Sequence, residues 1–148
     1  MSKQLKLKIV TPERLVLEEM VDQVSLPTTL GEITVLPNHI PLITGLNSGD
    51  VVGFVNGEHI PMAVAGGFVE IKQNEKGDTE VAVLADFAEH VSEISDVEIE
   101  KAKARSLELK KQMENKEHVD FEHLEAELER SLTRVKIADK WKIRKYRK

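Results

Sequence analysis

Glycine and proline are confined to the first part of this 148-residue chain, and this division limits what each part can fold into. All eight glycines lie at or before Gly77, and all five prolines lie at or before Pro61. Both residue types are common in turns and are disfavoured inside helices. After Gly77 the chain is rich in Glu, Lys, Leu, Arg and Ala, all of which favour helices. We therefore predict an α+β chain with a β-rich first part and a helical second part.

The first part contains a series of short runs with strand character, spaced roughly eight to twelve residues apart as in sandwiches and barrels. The runs are Leu5–Val10, Leu15–Leu17, Asp22–Leu26, Glu32–Leu36, Pro41–Thr44, Asp50–Val55, Glu58–Val64, Gly67–Gln73 and Thr79–Ala85. Asn56-Gly57 is the strongest hairpin signal, because a type I′ turn needs a positive φ at both positions. Turns this short leave no room for crossover helices. Residues 1–88 are therefore predicted to form an antiparallel β-sandwich of about ten strands.

Residues 89–148 are predicted to form a two-helix hairpin. Ser95 and Glu98 have the spacing of a capping box, in which each side chain bonds the backbone amide of the other residue, so a helix should begin here. Its apolar face is Ile99, Ala102, Ser106, Leu109 and Met113. Residues 115–119 break this pattern, Asp120 offers a second N-cap, and a second apolar stripe follows at Phe121, Leu124, Leu128, Leu132 and Val135. Because two helices alone lack a full core, the stripes should also pack on another surface, for which the adjacent sandwich face is one candidate.

Positive charge is concentrated at the end of the second helix. The net charge of the chain is −5, yet residues 130–148 carry nine basic side chains and one acidic one. The basic residues are Arg130, Arg134, Lys136, Lys140, Lys142, Arg144, Lys145, Arg147 and Lys148. Two or three of them would be enough to complement the helix dipole. The excess predicts contact with an anionic surface.

The sequence lacks the patterns expected of an independent enzyme. It has no Gly-x-x-x-x-Gly-Lys phosphate loop and no Gly-x-Ser-x-Gly elbow. Its five histidines form no helical metal-binding pair, and the absence of cysteine excludes disulfides and thiolate chemistry. We predict no catalytic site, no metal site and no required cofactor.

The N-terminus and the hydropathy pattern indicate no direct membrane insertion. Leu5, Leu7 and Ile9 alternate with Lys6 and Lys8, which is a strand pattern rather than that of a signal peptide. No apolar stretch approaches the roughly 20 residues that a membrane-spanning helix needs. Any membrane role is therefore expected to depend on partners.

Two segments carry a resemblance to a known family. The first reads Leu-Pro-Thr-Thr-Leu-Gly-Glu-Ile-Thr-Val-Leu-Pro-Asn-His-Ile-Pro-Leu-Ile-Thr over residues 26–44, and the second is Gly-Gly-Phe-Val-Glu over residues 66–70. The chain resembles the epsilon subunit of the F-type ATP synthase from Leu5 to about Lys140. It departs at Asn38, where the family usually has glycine, although asparagine also suits a left-handed turn position.

The resemblance implies a non-catalytic subunit of the central stalk. In this family the sandwich binds the gamma subunit and the c-ring, and so couples proton-driven rotation of the ring to ATP synthesis. The helical hairpin lies either beside the sandwich or extended into the catalytic head, where it restrains ATP hydrolysis. The expected location is the cytoplasmic face of the bacterial inner membrane, as a peripheral part of the synthase.

The resemblance also implies roles for individual residues. Glu32 and His39 match family positions that face the polar loops of the c-ring. Such a carboxylate and imidazole on exposed turns suit loop recognition better than acid–base catalysis, which needs shifted proton affinities. The alternative is that both are solvated residues at the ends of a strand. In the extended state, Arg130, Arg134, Lys136 and Lys140 match residues that contact an acidic region of the catalytic beta subunits, beside the alpha subunits.

Many bacterial members of this family bind a regulatory ATP in the folded hairpin. Their motif on the first helix corresponds here to Val97-Glu98-Ile99-Glu100-Lys101-Ala102, in which Glu98 and Lys101 replace Asp and Arg. These replacements change reach and hydrogen-bond geometry. Arg130 and Arg134 match the arginines of the second helix. The resemblance therefore implies an ATP site at these four residues, and the alternative is that they are solvated helix charges.

A different class of function remains open from the residues alone. The basic C-terminal helix could bind nucleic acid, with Trp141 and Tyr146 stacking on bases. The acidic character of the rest of the chain, and the lack of a basic aromatic groove in the sandwich, argue against this alternative.

Overall fold

The computed structural model describes residues 3–114 and 121–147. The strands are β1 (Leu5–Val10), β2 (Leu15–Val21), β3 (Gln23–Thr28), β4 (Gly31–Val35), β5 (Leu42–Gly45), β6 (Gly49–Val55), β7 (Glu58–Gln73) and β8 (Thr79–His90). A single 3-10 turn at Val91–Glu93 leads to the helices α1 (Asp96–Glu114) and α2 (Phe121–Trp141). The predicted α+β class, a β-sandwich followed by two helices, is confirmed.

The sandwich has eight strands rather than about ten, chiefly because two of the predicted strands form a single long strand. The runs Glu58–Val64 and Gly67–Gln73 both belong to β7, whose first half pairs with β6 and whose second half pairs with β5. The strand bends between the halves at Gly66 and Gly67, where φ is +62° and +120°. A Cβ on Gly67 would lie 2.0 Å from the carbonyl oxygen of Leu84, so only glycine allows this close approach. The glycines bend the strand without ending it.

The sheet is mixed, because β1 pairs in parallel with β8. All other pairings are antiparallel, and the strand order is β2-β1-β8-β7-β6-β3-β4, with β5 on the second half of β7. The expectation of an entirely antiparallel sandwich therefore fails at this pair. Short turns determine the direction of consecutive strands only, whereas β1 and β8 come from opposite ends of the sandwich sequence.

Two asparagines hold the left-handed turn conformations that the sequence predicts. Asn56 and Gly57 have φ of +53° and +77°, and they join β6 to β7 as the predicted hairpin. Asn38 has φ of +71°, and the turn is closed by a hydrogen bond from the His39 amide to the Leu36 carbonyl at 3.2 Å. Asparagine therefore fits where the family usually has glycine.

The sandwich core is formed by one face of each strand. Along β1, Leu5, Leu7 and Ile9 are completely buried, as the alternation with Lys6 and Lys8 predicts. Burying such a side chain contributes about 1.5–3 kcal/mol. The core continues through Val21, Val24, Leu26, Val35, Val51, Ile60, Val69, Ile71, Val81 and Val83.

The first helix begins as predicted. The Ser95 amide donates to the Glu98 carboxylate at 2.8 Å, and the Glu98 amide donates to the Ser95 hydroxyl at 3.2 Å. The buried residues of α1 are Ile99, Ala102, Ser106 and Leu109, which are four of the five predicted positions. The predicted break at 115–119, the cap at Asp120 and the side chain of Phe121 lie outside the described residues.

The second helix buries the predicted stripe only in part, since Leu124, Leu128 and Val135 are half-buried. Leu132 is 41% exposed, whereas Ser131, Thr133, Ile137, Ala138 and Trp141 are buried. The reason is that α2 lies between α1 on one side and β6 and β7 on the other. Its buried residues therefore cover a wider arc than one apolar stripe, and small side chains such as Ser131 and Ala138 let the neighbouring backbones approach.

The hairpin packs on the sandwich through an apolar cluster of its own. The cluster consists of Ala63, Val91, Ile94, Ile99, Ile137, Ala138 and Trp141, and its residues do not belong to the sandwich core. Between the two parts, β8 continues to His90, two residues past the predicted domain boundary at residue 88. The compact placement of the hairpin thus depends on a small separate interface.

Candidate functional site

A cleft of about 470 Å³ lies between α1, α2 and the end of β8. We call it the helical cleft, and its lining residues are Phe87, Glu98, Lys101, Ala102, Arg105, Glu127, Arg130, Ser131 and Arg134. All four residues predicted to bind nucleotide, Glu98, Lys101, Arg130 and Arg134, are among them.

Local helix geometry explains how these side chains come together. The capping box places Glu98 in the first turn of α1, and Lys101 follows one turn later. Arg130 and Arg134 are four residues apart on α2, so they share one face of that helix. The packing of α1 against α2 then brings the two pairs to opposite walls of the cleft.

Two arginines of the cleft are already paired with carboxylates. Arg134 Nε donates to Glu89 Oε1 at 2.6 Å, and its Nη2 lies 3.6 Å from Glu98 Oε1. Arg105 binds Glu127 through two hydrogen bonds of 2.7 and 3.1 Å. Hydrogen bonds from Arg105 lower the pKa of the Glu127 carboxyl, whereas burial raises the pKa of Glu89 against the opposing effect of Arg134.

The other two cations of the cleft are Lys101 and Arg130. Neither has a carboxylate within ion-pair distance in the described part of the chain. The Arg130 guanidinium lies 5.5 Å from the centroid of the Phe87 ring, and its Nη2 is 3.4 Å from the Asp86 carbonyl oxygen. The cleft thus has four cationic and two carboxylate side chains. This excess of positive charge suits an anion such as a phosphate.

The paired residues in the cleft were not foreseen from the sequence. Arg105 and Glu127 are 22 residues apart on different helices, and Glu89 and Arg134 are 45 apart. No local pattern indicates such pairs, because they depend on how the helices pack. Phe87 could be recognised only as part of a strand.

Glu32 and His39 are held apart by a strand. Glu32 is the second residue of β4 and is exposed, whereas His39 follows the end of β4 by four residues and is half-buried. Three residues of strand alone separate Glu32 from Val35 by about 10 Å. His39 Nδ1 contacts the Ile40 carbonyl oxygen at 2.6 Å, and its own carbonyl accepts from Gln73 at 3.1 Å. Glu32 therefore lies near the start of β4 and His39 in the loop after its end, so the two residues are not neighbours along the strand.

The basic end of α2 contacts acidic residues of the sandwich. Lys140 Nζ and Trp141 Nε1 both donate to Asp50 Oδ2, at 2.8 and 2.9 Å. Trp141 is only 3% exposed, so in this conformation it is not available to stack on nucleic-acid bases. Lys136 is exposed and makes no ion pair with any described residue. Part of this positive charge is therefore paired within the protein, Lys140 with Asp50 and Arg134 with Glu89. The burial of Trp141 weakens the nucleic-acid alternative.

The outer face of the sandwich carries an apolar row that sequence reasoning missed. Phe68 pairs with Leu84, Leu84 with Val10, and Val10 with Leu15, so the four side chains lie side by side across β7, β8, β1 and β2. Phe68, Leu84 and Leu15 are 62%, 54% and 50% exposed. We call these four residues the apolar row. Strand alternation could have revealed each residue, but their alignment needs the register between strands.

Two further observations limit the chemistry of the described residues. Among residues 3–114 and 121–147, no group of three or more His, Asp or Glu side chains is arranged to hold a metal ion. Neither described helix is long and apolar enough to cross a membrane.

Comparison with known proteins identifies the family. The family described as "ATP synthase, Delta/Epsilon chain, beta-sandwich domain" matches residues 4–91. The ATP synthase epsilon chain of Nitratidesulfovibrio vulgaris is 40% identical over 137 residues, which cover 93% of this chain and 97% of that protein. The epsilon chain of Herpetosiphon aurantiacus is 37% identical over 134 residues, covering 90% and 93%.

The chain belongs to the ATP synthase epsilon chain family.

Solved structures show the same fold. A chain of the mitochondrial ATP synthase of Euglena gracilis, from a complex described as OSCP/F1/c-ring, has a TM-score of 0.62 at 20% identity, and the match covers 92% of this chain and 81% of that one. A chain from the central stalk and c-ring of the Tetrahymena thermophila mitochondrial ATP synthase has a TM-score of 0.53 at 14% identity, covering 95% and 98%. At these identities the similarity concerns the fold alone. It extends over both the sandwich and the helices of this epsilon-family chain.

Proposed function

We propose that this chain is a non-catalytic central-stalk subunit of the F-type ATP synthase, and that its helical hairpin restrains ATP hydrolysis. Family membership supports the place in the stalk. The observation that carries the regulatory part is the separate apolar cluster between hairpin and sandwich. Because the sandwich core is complete without it, the hairpin can leave the sandwich without opening that core.

The apolar row is the proposed contact surface for the gamma subunit. Four apolar side chains aligned across neighbouring strands form a continuous exposed strip, and such strips commonly mark protein interfaces. A cavity of about 610 Å³ lies beside the strip and is lined by Phe68 and Leu84 together with Pro12. A helix of the partner, inserting apolar side chains there, would bury both.

Glu32 and His39 are the proposed contacts with the c-ring. The loop that carries His39 bonds Gln73 at the end of β7 and Thr79 at the start of β8. Each of these is five residues along its strand from Phe68 or Leu84, a distance of about 17 Å. The chain therefore offers separate surfaces for a stalk partner and a ring partner. Bound in this way, it would lie at the cytoplasmic face of the bacterial inner membrane without entering the membrane.

A binding experiment with two matched variants tests these assignments. Phe68→Glu with Leu84→Glu should weaken binding to purified gamma subunit at least tenfold and leave binding to the c-ring unchanged. Glu32→Ala with His39→Ala should do the reverse, so each variant controls for the fold of the other. Unchanged gamma affinity in the first variant would contradict the role of the apolar row, and unchanged c-ring affinity in the second would contradict that of Glu32 and His39.

The helical cleft is the proposed site of a regulatory ATP. The observation that favours this site is that Glu98, Lys101, Arg130 and Arg134 line one cleft. Lys101 and Arg130 make no ion pair with any described residue. A phosphate would have to compete with Glu89 and Glu98 for Arg134, so we expect weak binding. Bound ATP would favour the compact hairpin, because binding needs both walls of the helical cleft.

Calorimetric titration with MgATP measures this directly. Arg130→Ala should weaken or abolish binding, because it removes an unpaired cation of the cleft. Lys136→Ala is the control, since Lys136 is on the same helix but outside the cleft. Equal affinity in the two variants, or no binding to the unaltered chain, would rule out the site.

A further inference from the structure

We propose that residues 142–147, which follow α2, form a strap that locks the helical hairpin onto the sandwich, with Arg147 and Glu19 as the locking pair. We call this segment the C-terminal strap. It leaves the helix in a turn, in which the Arg144 amide donates to the Trp141 carbonyl at 3.3 Å. The chain then crosses the sandwich instead of continuing away from it.

The strap is attached to two strands at its far end. The Arg147 backbone amide donates to the His59 carbonyl of β7 at 2.8 Å. The Arg147 guanidinium binds both carboxylate oxygens of Glu19 on β2 through two hydrogen bonds. This pairing raises the pKa of Arg147 and lowers that of Glu19, so both groups are charged at neutral pH. A planar two-point pair of this kind fixes orientation as well as distance.

The strap also covers the residue that anchors α2. Tyr146 lies edge-on to Trp141, with ring centroids 6.2 Å apart, and 5.9 Å from the His90 ring. Trp141 in turn lies 5.6 Å from the ring of His59 and donates to Asp50. The strap therefore closes over a cluster that joins α2, β7 and β8.

The topology explains why such a strap matters. The hairpin is joined to the sandwich covalently through residues 91–95, so the end of α2 is held only by non-covalent contacts. Apart from the strap, these are the bonds of Lys140 and Trp141 to Asp50 and the apolar packing around Trp141. The strap ties that end down, and both ends of the hairpin are then held. Lys142, Ile143, Arg144 and Lys145 remain exposed, Ile143 at 93%. Tyr146 and Arg144 contact the Trp141 ring, and Arg147 supplies the ion pair with the sandwich. Because that pair is electrostatic, the hold of the strap should be sensitive to salt.

Trp141 is the only tryptophan of the chain and reports on this contact. In the full-length protein, Arg147→Ala and Glu19→Gln should each shift the Trp141 emission to longer wavelength and raise its quenching by acrylamide at least twofold. Neither substitution replaces an aromatic residue. Lys145→Ala is the matched control, because Lys145 is exposed on the same segment and makes no ion pair with any described residue. The charge exchange Glu19→Arg with Arg147→Glu should restore the emission of the unaltered chain.

Hydrogen exchange supplies an independent readout. Amides of α2 should exchange at least tenfold faster in Arg147→Ala, while those of β1 and β8 remain as slow as in the unaltered chain, showing that the sandwich is folded. Unchanged Trp141 emission and unchanged α2 exchange in both single variants would overturn the strap.

The consequence for the assembled enzyme rests on the proposed restraint of hydrolysis by the extended hairpin. If the strap favours the compact state, Arg147→Ala should lower ATP hydrolysis by the reconstituted synthase. Faster α2 exchange in the isolated chain with unchanged hydrolysis would support the strap and contradict the proposed restraint. The two proposals can therefore fail separately.

Discussion

At the scale of single residues, His90 joins three parts of the molecule. It ends β8, its Nδ1 accepts from the Ser92 amide at 3.0 Å, and its ring faces Tyr146 of the C-terminal strap. Burial lowers the pKa of His90 below its ordinary value of 6.5, while the Glu93 carboxylate opposes the shift. The charged form also cannot accept the Ser92 hydrogen bond at Nδ1. Neutral His90 is therefore the form that fits the folded protein.

This shift predicts a loss of stability on mild acidification. The unfolded chain binds a proton at His90 more readily than the folded chain does. The contribution of neutral His90 to stability is therefore complete above pH 6.5 and is lost as pH falls through the lower folded pKa. Urea titrations at pH 7.5, 6.5 and 5.5, followed by Trp141 fluorescence, should show a falling free energy of unfolding. His90→Asn should flatten this dependence, because asparagine can accept from Ser92 but does not titrate. The same pH dependence in both proteins would contradict the prediction.

Residues whose partners are close in sequence were predictable, and those with distant partners were not. Ser95 and Glu98 are three residues apart, and their reciprocal bonds follow from helix geometry alone. The positive φ of Asn38 is likewise a local property. The pairs Glu89 with Arg134 and Arg105 with Glu127 join residues 45 and 22 positions apart, and no local pattern indicates them.

At the scale of elements, α2 makes most of the contacts on which the proposed functions depend. It contributes Arg130 and Arg134 to the helical cleft and ends in the Trp141 anchor. Arg134 joins α2 to the sandwich through Glu89, which is one of its most buried carboxylates, with a side chain only 13% exposed. Removing one member of such a pair leaves the other charged and poorly solvated.

Arg134→Ala should therefore lower the free energy of unfolding by about 1.5–3 kcal/mol, the range for hydrogen bonds to charged groups. Adding Glu89→Gln should recover part of the loss, because an amide costs less to bury without a cation than a carboxylate does. Urea unfolding followed at Trp141 measures both. Lys136→Ala on the same helix is the control, and equal midpoints for Arg134→Ala and Lys136→Ala would show that the pair contributes nothing.

The two helices differ in how far the sequence describes them. The buried face of α1 follows the predicted spacing, because α1 packs mainly on one neighbour. The prediction for α2 is wrong at Leu132, since α2 is covered on two sides and buries small polar residues such as Ser131 and Thr133. Sequence periodicity can predict a single apolar stripe, but it does not predict which residues are buried when a helix packs between two other elements.

At the scale of the whole molecule, the division into sandwich and hairpin follows from the glycine and proline distribution, whereas the strand topology does not. The parallel pairing of β1 with β8 joins segments more than 70 residues apart in register, as Lys6 with Glu80 shows. The placement of the hairpin on the sandwich likewise depends on contacts between distant charges, such as Asp50 with Lys140. These contacts form only once both parts have folded, and they are the ones that would break on extension.

If the hairpin must leave the sandwich to restrain hydrolysis, a removable crosslink between the two parts should release the restraint. Ser48 Oγ donates to Glu129 Oε1 at 2.6 Å, so these positions on the sandwich and α2 are adjacent in the compact state. The chain has no cysteine, so Ser48→Cys with Glu129→Cys would give one defined pair for a short cleavable bismaleimide. The single-cysteine variants, treated in the same way, are the controls.

The measurement is the rate of ATP hydrolysis by the reconstituted synthase before and after the crosslink is cleaved. Hydrolysis should be at least twofold faster with the crosslink in place, because the hairpin cannot extend, and should return to the lower rate after cleavage. Equal rates in the crosslinked and cleaved complexes, with the chain still bound to gamma, would show that the hairpin does not restrain hydrolysis by leaving the sandwich.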